Sequence, residues 1–249
     1  MIDAFFLAVA GPAAFFAGIS KGGFGSGAAF ASSAILALFL DPGVALGIML
    51  PLLMLIDLAT LRPYWKTWNW ADARVLIAGA VPGVIIGAVL YRLSEPDVIR
   101  VLIGGVSLAF VAWQAAKSAG LVPVSRNRLS PTAGVVAGAV TGFTSFVSHA
   151  GGPPAAVYLL SQRLGKTEYQ GTTVLVFWVV NIVKFVPYAF LGLFTAQTAL
   201  ADLVLAPFAL IGAWVGVIAH RAVPERLFFG LTYTLLVITG AKLVFDGLT

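Results

Sequence analysis

Six stretches of about 20 residues, at roughly 43–62, 73–92, 96–117, 170–191, 199–220 and 224–245, are almost uninterrupted in apolar side chains. A helix rises about 1.5 Å per residue, so a run of about 20 apolar residues matches the hydrocarbon thickness of a bilayer. A chain with six such runs cannot fold as an ordinary water-facing domain. Its composition says the same: 60% of the residues are hydrophobic and 10% charged, with a mean hydropathy of +0.99, against about 45–50% apolar and about a quarter charged in soluble domains. The chain is therefore read as an all-α, polytopic membrane protein whose main partner is the lipid bilayer. The net charge of +5 is scattered over loop positions and forms no basic face, which argues against nucleic acid as a partner. With no cysteine, two histidines and no carboxylate cluster, neither a metal site nor a cofactor is expected. The only early charge is Asp3, so the first apolar stretch reads as a structural helix and not as a cleaved leader.

Two further apolar regions are interrupted. One, at about 2–40, is cut by Ser20-Lys21-Gly22-Gly23-Phe24-Gly25-Ser26-Gly27. The other, at about 131–163, is cut by Ser148-His149-Ala150-Gly151-Gly152-Pro153-Pro154. What remains after each cut, about 13 and about 10 residues, is the length of half a membrane span. Each region reads as a helix, a break and a partial helix, re-entrant or spanning.

Basic residues orient the spans, because positive charge is retained on the cytoplasmic side. Alternating the spans puts ten basic residues on one face: Arg62, Lys66, Arg74, Lys117, Arg126, Arg128, Arg163, Lys166, Arg221 and Arg226. The other face receives Arg92 and Arg100, offset by Glu95 and Asp97. The expected topology has both termini outside the cytoplasm of a cell (inner) membrane. The run Tyr64-Trp65-Lys66-Thr67-Trp68-Asn69-Trp70 then forms an aromatic anchor at the cytoplasmic interface.

An internal repeat organises the chain. An ungapped offset of 124 residues pairs Gly18 with Gly142, Ser20 with Thr144, Gly27 with Gly151 and Gly47 with Gly171. It also pairs Asp57 with Asn181, Pro63 with Pro187 and Tyr64 with Tyr188. These matches fall on glycines, prolines and intramembrane polar residues, which are scarce. The expected layout is a first repeat over 1–117, a cytoplasmic linker over 118–130 and a second repeat over 131–249. Each repeat is a broken helical hairpin followed by three transmembrane helices. Since one repeat starts outside and the other inside, the two are inverted copies, an arrangement of secondary transporters in which matched breaks mark the binding site.

Irregular backbone at membrane depth is tolerated only where it is buried or lines a cavity. A half-helix starting near Ser26–Ala28 and another starting near Pro153 would aim their positive N-terminal ends at a common point. That geometry suits an anion near the midplane, although the glycines would also serve close helix packing. Charged residues inside the spans need a partner or a task. Lys21 and Lys184 are candidate anion contacts, and one of them alternatively pairs with Asp57. His149 is either a hydrogen-bonded structural residue or a proton carrier, so Asp57 and His149 are candidate coupling or charge partners. The candidate substrate-binding set is Ser20, Lys21, Gly22, Gly23, Gly25, Ser26, Gly27, Ser148, His149, Gly151, Gly152, Asn181 and Lys184. Gly138, in the continuous part of the helix before the second break, is expected to accept a larger side chain with milder loss than Gly152.

At these residues the chain resembles the TauE/SafE family of sulfite and organosulfonate exporters. The resemblance rests on Gly18-Ile19-Ser20-Lys21-Gly22-Gly23-Phe24-Gly25 and on Gly142-Phe143-Thr144-Ser145 through His149-Ala150-Gly151-Gly152-Pro153-Pro154. Tyr158-Leu159-Leu160, Gly171-Thr172-Thr173 and Asn181 to Lys184 extend it over essentially the whole chain. It implies a secondary transporter that exports small anions, such as sulfite or a C2–C3 organosulfonate like sulfoacetate, by alternating access and as a monomer or homodimer. The family's common triple glycine in the first break is here Gly25-Ser26-Gly27. The resemblance leaves open which anion is carried, and whether export is uniport or coupled to protons or sodium.

Two other classes compete. An anion channel would share the charges but would pass a flux that does not saturate. An intramembrane serine protease would use Ser26 with His149 or His220 as base. Phe24 stands two residues before Ser26, where that motif needs glycine, so a non-enzymatic role is expected.

Overall fold

The computed structural model describes residues 2–24, 29–121, 128–219 and 225–249. Among the described residues the fold is all-helical. Helix α1 (Ala4–Ile19) runs on into a π-helical turn, Ser20–Phe24, and the short α2 (Phe30–Ala37) follows. Three long helices complete the first half: α3 (Pro42–Leu61), α4 (Trp70–Leu93) and α5 (Pro96–Ser118). The second half repeats the order with α6 (Pro131–Ser148), the short α7 (Gly152–Ser161), α8 (Lys166–Phe190), α9 (Ala196–Ala219) and α10 (Glu225–Leu248). Seven of these, α1 with its π turn and α3, α4, α5, α8, α9 and α10, are long and apolar enough to cross a membrane. All six uninterrupted runs expected from the sequence are helices, with ends shifted by at most four residues.

Local chemistry explains several of the boundaries. The carboxylates of Asp3 and Asp41 accept the N–H groups of Phe6 (2.7 Å) and Gly43 (2.8 Å) and so cap α1 and α3. Asn69 caps α4 and Ser130 caps α6, each accepting an N–H three residues on. Pro42, Pro96 and Pro131 occupy first turns, where the missing donor costs nothing.

The first break is narrower than the sequence suggests. Ser20 to Phe24 stay helical, because the backbone widens into a π turn before it stops. The following half-helix starts at Phe30 and has 8 residues, against the roughly 13 expected from its apolar length, since Leu38–Leu40 turn away before Pro42. The second half-helix starts at Gly152, one residue before the expected Pro153.

Lipid supplies no hydrophobic drive between helices, so small residues that let backbones approach hold such a bundle together. The most extensive pairings are α4 with α6, α1 with α9 and α5 with α10. Gly18 in α1 lies against the backbone of Ala209 and Ala213 in α9, and Gly142 in α6 lies against the backbone of Ala80 in α4. Gly138 presses on the α4 backbone at Leu76, so it has no room for a side chain. A continuous helix is thus not an open face, and a side chain at Gly138 strains the α4–α6 packing. Ile85, Ile86 and Val89 of α4 and Leu203, Ile211 and Trp214 of α9 remain exposed, as an apolar surface in lipid requires. In the loop before α4, Trp68 makes edge-to-face contacts with Trp65 (5.3 Å) and Trp70 (6.0 Å), giving the expected aromatic cluster.

Candidate functional site

Polar groups from α3, α8 and the two breaks converge inside this apolar bundle. The Lys21 ammonium, in the π turn, forms an ion pair with Asp57 of α3, and both side chains are buried. The pair is braced on both sides. Asn181 Nδ2 of α8 donates to Asp57 Oδ2 (2.7 Å), and Gln170 Nε2 donates to the Lys21 carbonyl (3.2 Å). Of the two lysines proposed from sequence, Lys21 is thus the one that pairs with Asp57.

Lys184, fully buried in α8, is held differently. Its ammonium donates to the Ser145 carbonyl (2.9 Å), to Ser145 Oγ (3.1 Å) and to His149 Nδ1 (2.8 Å). With Nδ1 accepting, the imidazole proton sits on Nε2, which donates to the Leu46 carbonyl (3.3 Å). All the partners of Lys184 are neutral, and no carboxylate pairs with it among the described residues. Two lysines and one carboxylate therefore share this part of the bundle, and the carboxylate pairs with Lys21. A buried charge without a counter-ion is costly unless a ligand supplies one.

The backbone around His149 is built to hold that ring. His149 N–H donates to the Ser145 carbonyl, the bond of an αL cap, and Ala150 N–H donates to the Thr144 carbonyl, which together close α6. His149 takes the left-handed position (φ 57°) that glycine occupies most easily. A side chain there costs about 1–2 kcal/mol, a cost set against the ring's contacts to Lys184 and Leu46. Ser33 of α2 donates to the Ser148 carbonyl (2.9 Å), so the two broken hairpins are joined directly.

Lys21, Ser145, His149, Asn181, Leu53 and Phe177 line a small cavity, with Ala29 at the start of α2 closing one side. Its volume is about 10 Å³ for the centre of a water-sized sphere, room for about one water molecule. The 124-residue offset recurs in this wall. Lys21 and Ser145 are repeat mates, as are Leu53 and Phe177, and Asp57 and Asn181 are mates in direct contact.

The other residues proposed from sequence are placed variously. Ser20 is buried in the π turn beside Lys21. Gly22 and Gly23 lie against the α9 backbone at Ala213 and Gly216, in helix-packing positions. Gly151 caps α7, and a Cβ there would come within 2.9 Å of Phe177, Ser145 and Thr141. Gly152 opens α7. Ser148 Oγ turns back to the Thr144 carbonyl. Gly25, Ser26 and Gly27 lie outside the described residues, as does His220. Both ring nitrogens of His149 are engaged by groups other than a serine, an arrangement unlike that of a protease base.

Sequence reading did not assign Ser145, Leu53 or Phe177 to the site. Their signal was present in the repeat, since Ser145 is the mate of Lys21 and Phe177 of Leu53. The backbone carbonyls of Leu46 and Ser145 carry no sequence signal at all.

The family model described as Sulfite exporter TauE/SafE matches residues 10–243, nearly the whole chain. No curated protein and no solved structure matches it.

Proposed function

The chain belongs to the sulfite exporter TauE/SafE family, and from that premise we propose that it exports a small anion, sulfite or a C2–C3 organosulfonate such as sulfoacetate, through the cavity lined by Lys21, Ser145, His149 and Asn181, with Asp57 and Lys184 bonded to its walls. The family is one of membrane transporters of small anions. The observation that carries the reading is Lys184, a fully buried lysine whose hydrogen-bond partners among the described residues are all neutral, next to the cavity lined by Ser145 and His149. Asp57 cancels Lys21, so the free charge that attracts the anion belongs to Lys184, and Lys21 orders the wall. The first residues of α2 and α7 abut the same cavity and add donor-rich backbone.

The cavity admits about one water molecule, whereas a sulfonate group is several times larger. Substrate therefore enters by a rearrangement of the walls, as alternating access requires, and a standing pore of the kind a channel needs is disfavoured. We read the two halves as inverted-topology repeats, because the Asp57–Asn181 contact joins repeat mates and the Gly18–Ala209 packing is matched by Gly142–Ala80. The broken hairpins give the asymmetry such a transporter exchanges between states. The half-helix α2 packs against α10, while an apolar cavity of about 290 Å³ separates α5, at Val106 and Phe110, from α7, at Pro153 and Val157. With the cell interior negative, outward movement of one negative charge gains about 2.3 kcal/mol per 100 mV, so export needs no coupling ion. The ten basic residues favour an orientation in the cell (inner) membrane with both termini outside the cytoplasm.

The test is efflux of sulfite from vesicles reconstituted with wild type or Lys184→Met, together with the melting shift that sulfite produces. Methionine keeps the length and removes the charge. Wild type shows saturable efflux and a ligand-dependent rise in Tm, and Lys184→Met loses both while remaining folded. Full efflux by Lys184→Met overturns the assignment of the site.

A further inference from the structure

A second cavity, of about 310 Å³, lies where the start of α3, the end of α4, the start of α5 and the end of α8 meet. Asp41, Gly43, Tyr91, Arg92, Ser94 and Leu191 contribute to its wall. It shares α3 and α8 with the Lys184 site. His149 bonds the carbonyl of Leu46, only three residues, or about 4.5 Å of helix rise, from Gly43 in the cavity wall. On α8, Tyr188 stands four residues after Lys184 and three before Leu191, so its ring lies at the level between site and cavity.

Three aromatic rings fill that level. Tyr91 belongs to the cavity wall and meets Phe146 edge to face (6.3 Å). Phe146 meets Tyr188 edge to face (4.8 Å), and Tyr188 meets the His149 ring (6.1 Å). The Tyr188 hydroxyl donates to the Phe146 carbonyl (2.5 Å), which ties α8 to the last turn of α6. Tyr188 and Phe146 are both fully buried. This stack separates a cavity large enough for a sulfonate from a site that holds about one water molecule.

We propose that the 310 Å³ cavity is the outer vestibule of the transport path, and that Tyr188, Phe146 and Tyr91 form its gate, latched by the Tyr188–Phe146 hydrogen bond. The vestibule is suited to a small sulfonate or sulfite anion leaving the site. The exposed Arg92 offers charge and hydrogen-bond donors, while the Ser94 hydroxyl is bonded to the Leu90 carbonyl and the Asp41 carboxylate is taken up by the α3 N-terminus. Opening requires that Tyr188 release the Phe146 carbonyl and swing from above Lys184, whose ammonium lies 5.9 Å from the tyrosine ring. The proposal rests on the Lys184 site as the binding site.

The chain has no native cysteine, so a single reporter can be placed below the gate at Ser145→Cys. An anionic methanethiosulfonate, itself a small sulfonate, is applied to right-side-out and to inside-out vesicles. With the gate intact, outer-face labelling is slow. Adding Tyr188→Ala raises it at least tenfold with no change from the inner face, and Tyr188→Phe, which keeps the ring and loses the latch, gives a smaller rise. If Tyr188→Ala fails to fold, Tyr91→Ala at the vestibule side carries the same expectation. An unchanged outer-face rate, or an equal rise from both faces, overturns the gate. Labelling depends on access and not on the transported ion, so a wild type that moves no sulfite would refute the proposed substrate while leaving the gate result intact.

Discussion

Replacing Lys21 by methionine keeps the side-chain length and removes its charge, stranding Asp57 in a site with no exposure to water. The carboxylate retains the bond from Asn181 Nδ2 at 2.7 Å but loses its ion pair with Lys21. Breaking one partner of a buried pair typically costs about 3–5 kcal/mol. At roughly 2–4 °C per kcal/mol for a chain of this size, Tm should fall by about 6–20 °C. Asp57→Asn should cost a similar amount for the opposite reason, since it leaves the Lys21 and Lys184 ammonium groups facing each other without a carboxylate.

The double variant Lys21→Met with Asp57→Asn removes both charges and keeps the volume. Its stability should return to within about 1–2 kcal/mol of wild type, far from the sum of the single losses. The assay is thermal unfolding in detergent, repeated with sulfite. Because Asp57 already cancels Lys21, the excess charge on Lys184 survives in the double variant, which should still gain stability on adding sulfite. Single losses that simply add would refute the ion pair as a coupled unit. A stable double variant blind to sulfite would show that Lys21 itself touches the anion and that the charge accounting centred on Lys184 is wrong.

Three further outcomes follow from the same geometry. Gly142→Ala presses a methyl group on the α4 backbone at Ala80 and should lower stability by about 1–3 kcal/mol, whereas Gly105→Ala, with nothing within 4 Å, should be neutral or slightly stabilising in detergent melts. Thr195→Cys, exposed after α8, should react with an impermeant maleimide in intact spheroplasts, and Ser118→Cys, exposed at the end of α5, only after permeabilisation; the reverse pattern would invert the topology. Imposing 100 mV, inside negative, on vesicles loaded with a monovalent anionic substrate should shift its outward equilibrium about fiftyfold. No shift would mean that a compensating ion travels with it.

Much of the fold was legible because a bilayer accepts few solutions. An apolar run of fixed length must become a helix, so the six spans follow from composition and length alone. The half-helices were legible as interruptions, but their edges were not. Glycines at Gly22 and Gly23 look like a break, yet they lie in a helical turn whose bare face receives the α9 backbone. Glycine at a break and glycine at a helix crossing are the same letter, and only the position of a distant helix tells them apart. Gly138 is a second case, a helix-crossing glycine against Leu76.

The site was legible as a set of residue types, and less so as a set of relations. Lys21, Asp57, Asn181, Lys184 and His149 stand out because charge and polarity are expensive at membrane depth. Which lysine pairs with Asp57 depends on how α1 and α8 approach α3, and sequence spacing does not contain that. The decisive step is a difference between the repeats. Where the first half places Lys21 and Asp57, the second places Ser145 and Asn181, so a charged pair faces a neutral one across the axis. Lys184 then enters on the neutral side and binds Ser145 and His149, which have no charge to cancel it. A perfectly symmetric pair of repeats with two lysine–aspartate pairs would be neutral and would have no net attraction for an anion. On the proposed repeat reading, an asparagine in place of a carboxylate, with a lysine one turn further along the same helix, gives a core with one lysine more than its carboxylates, the feature on which the proposed anion site rests.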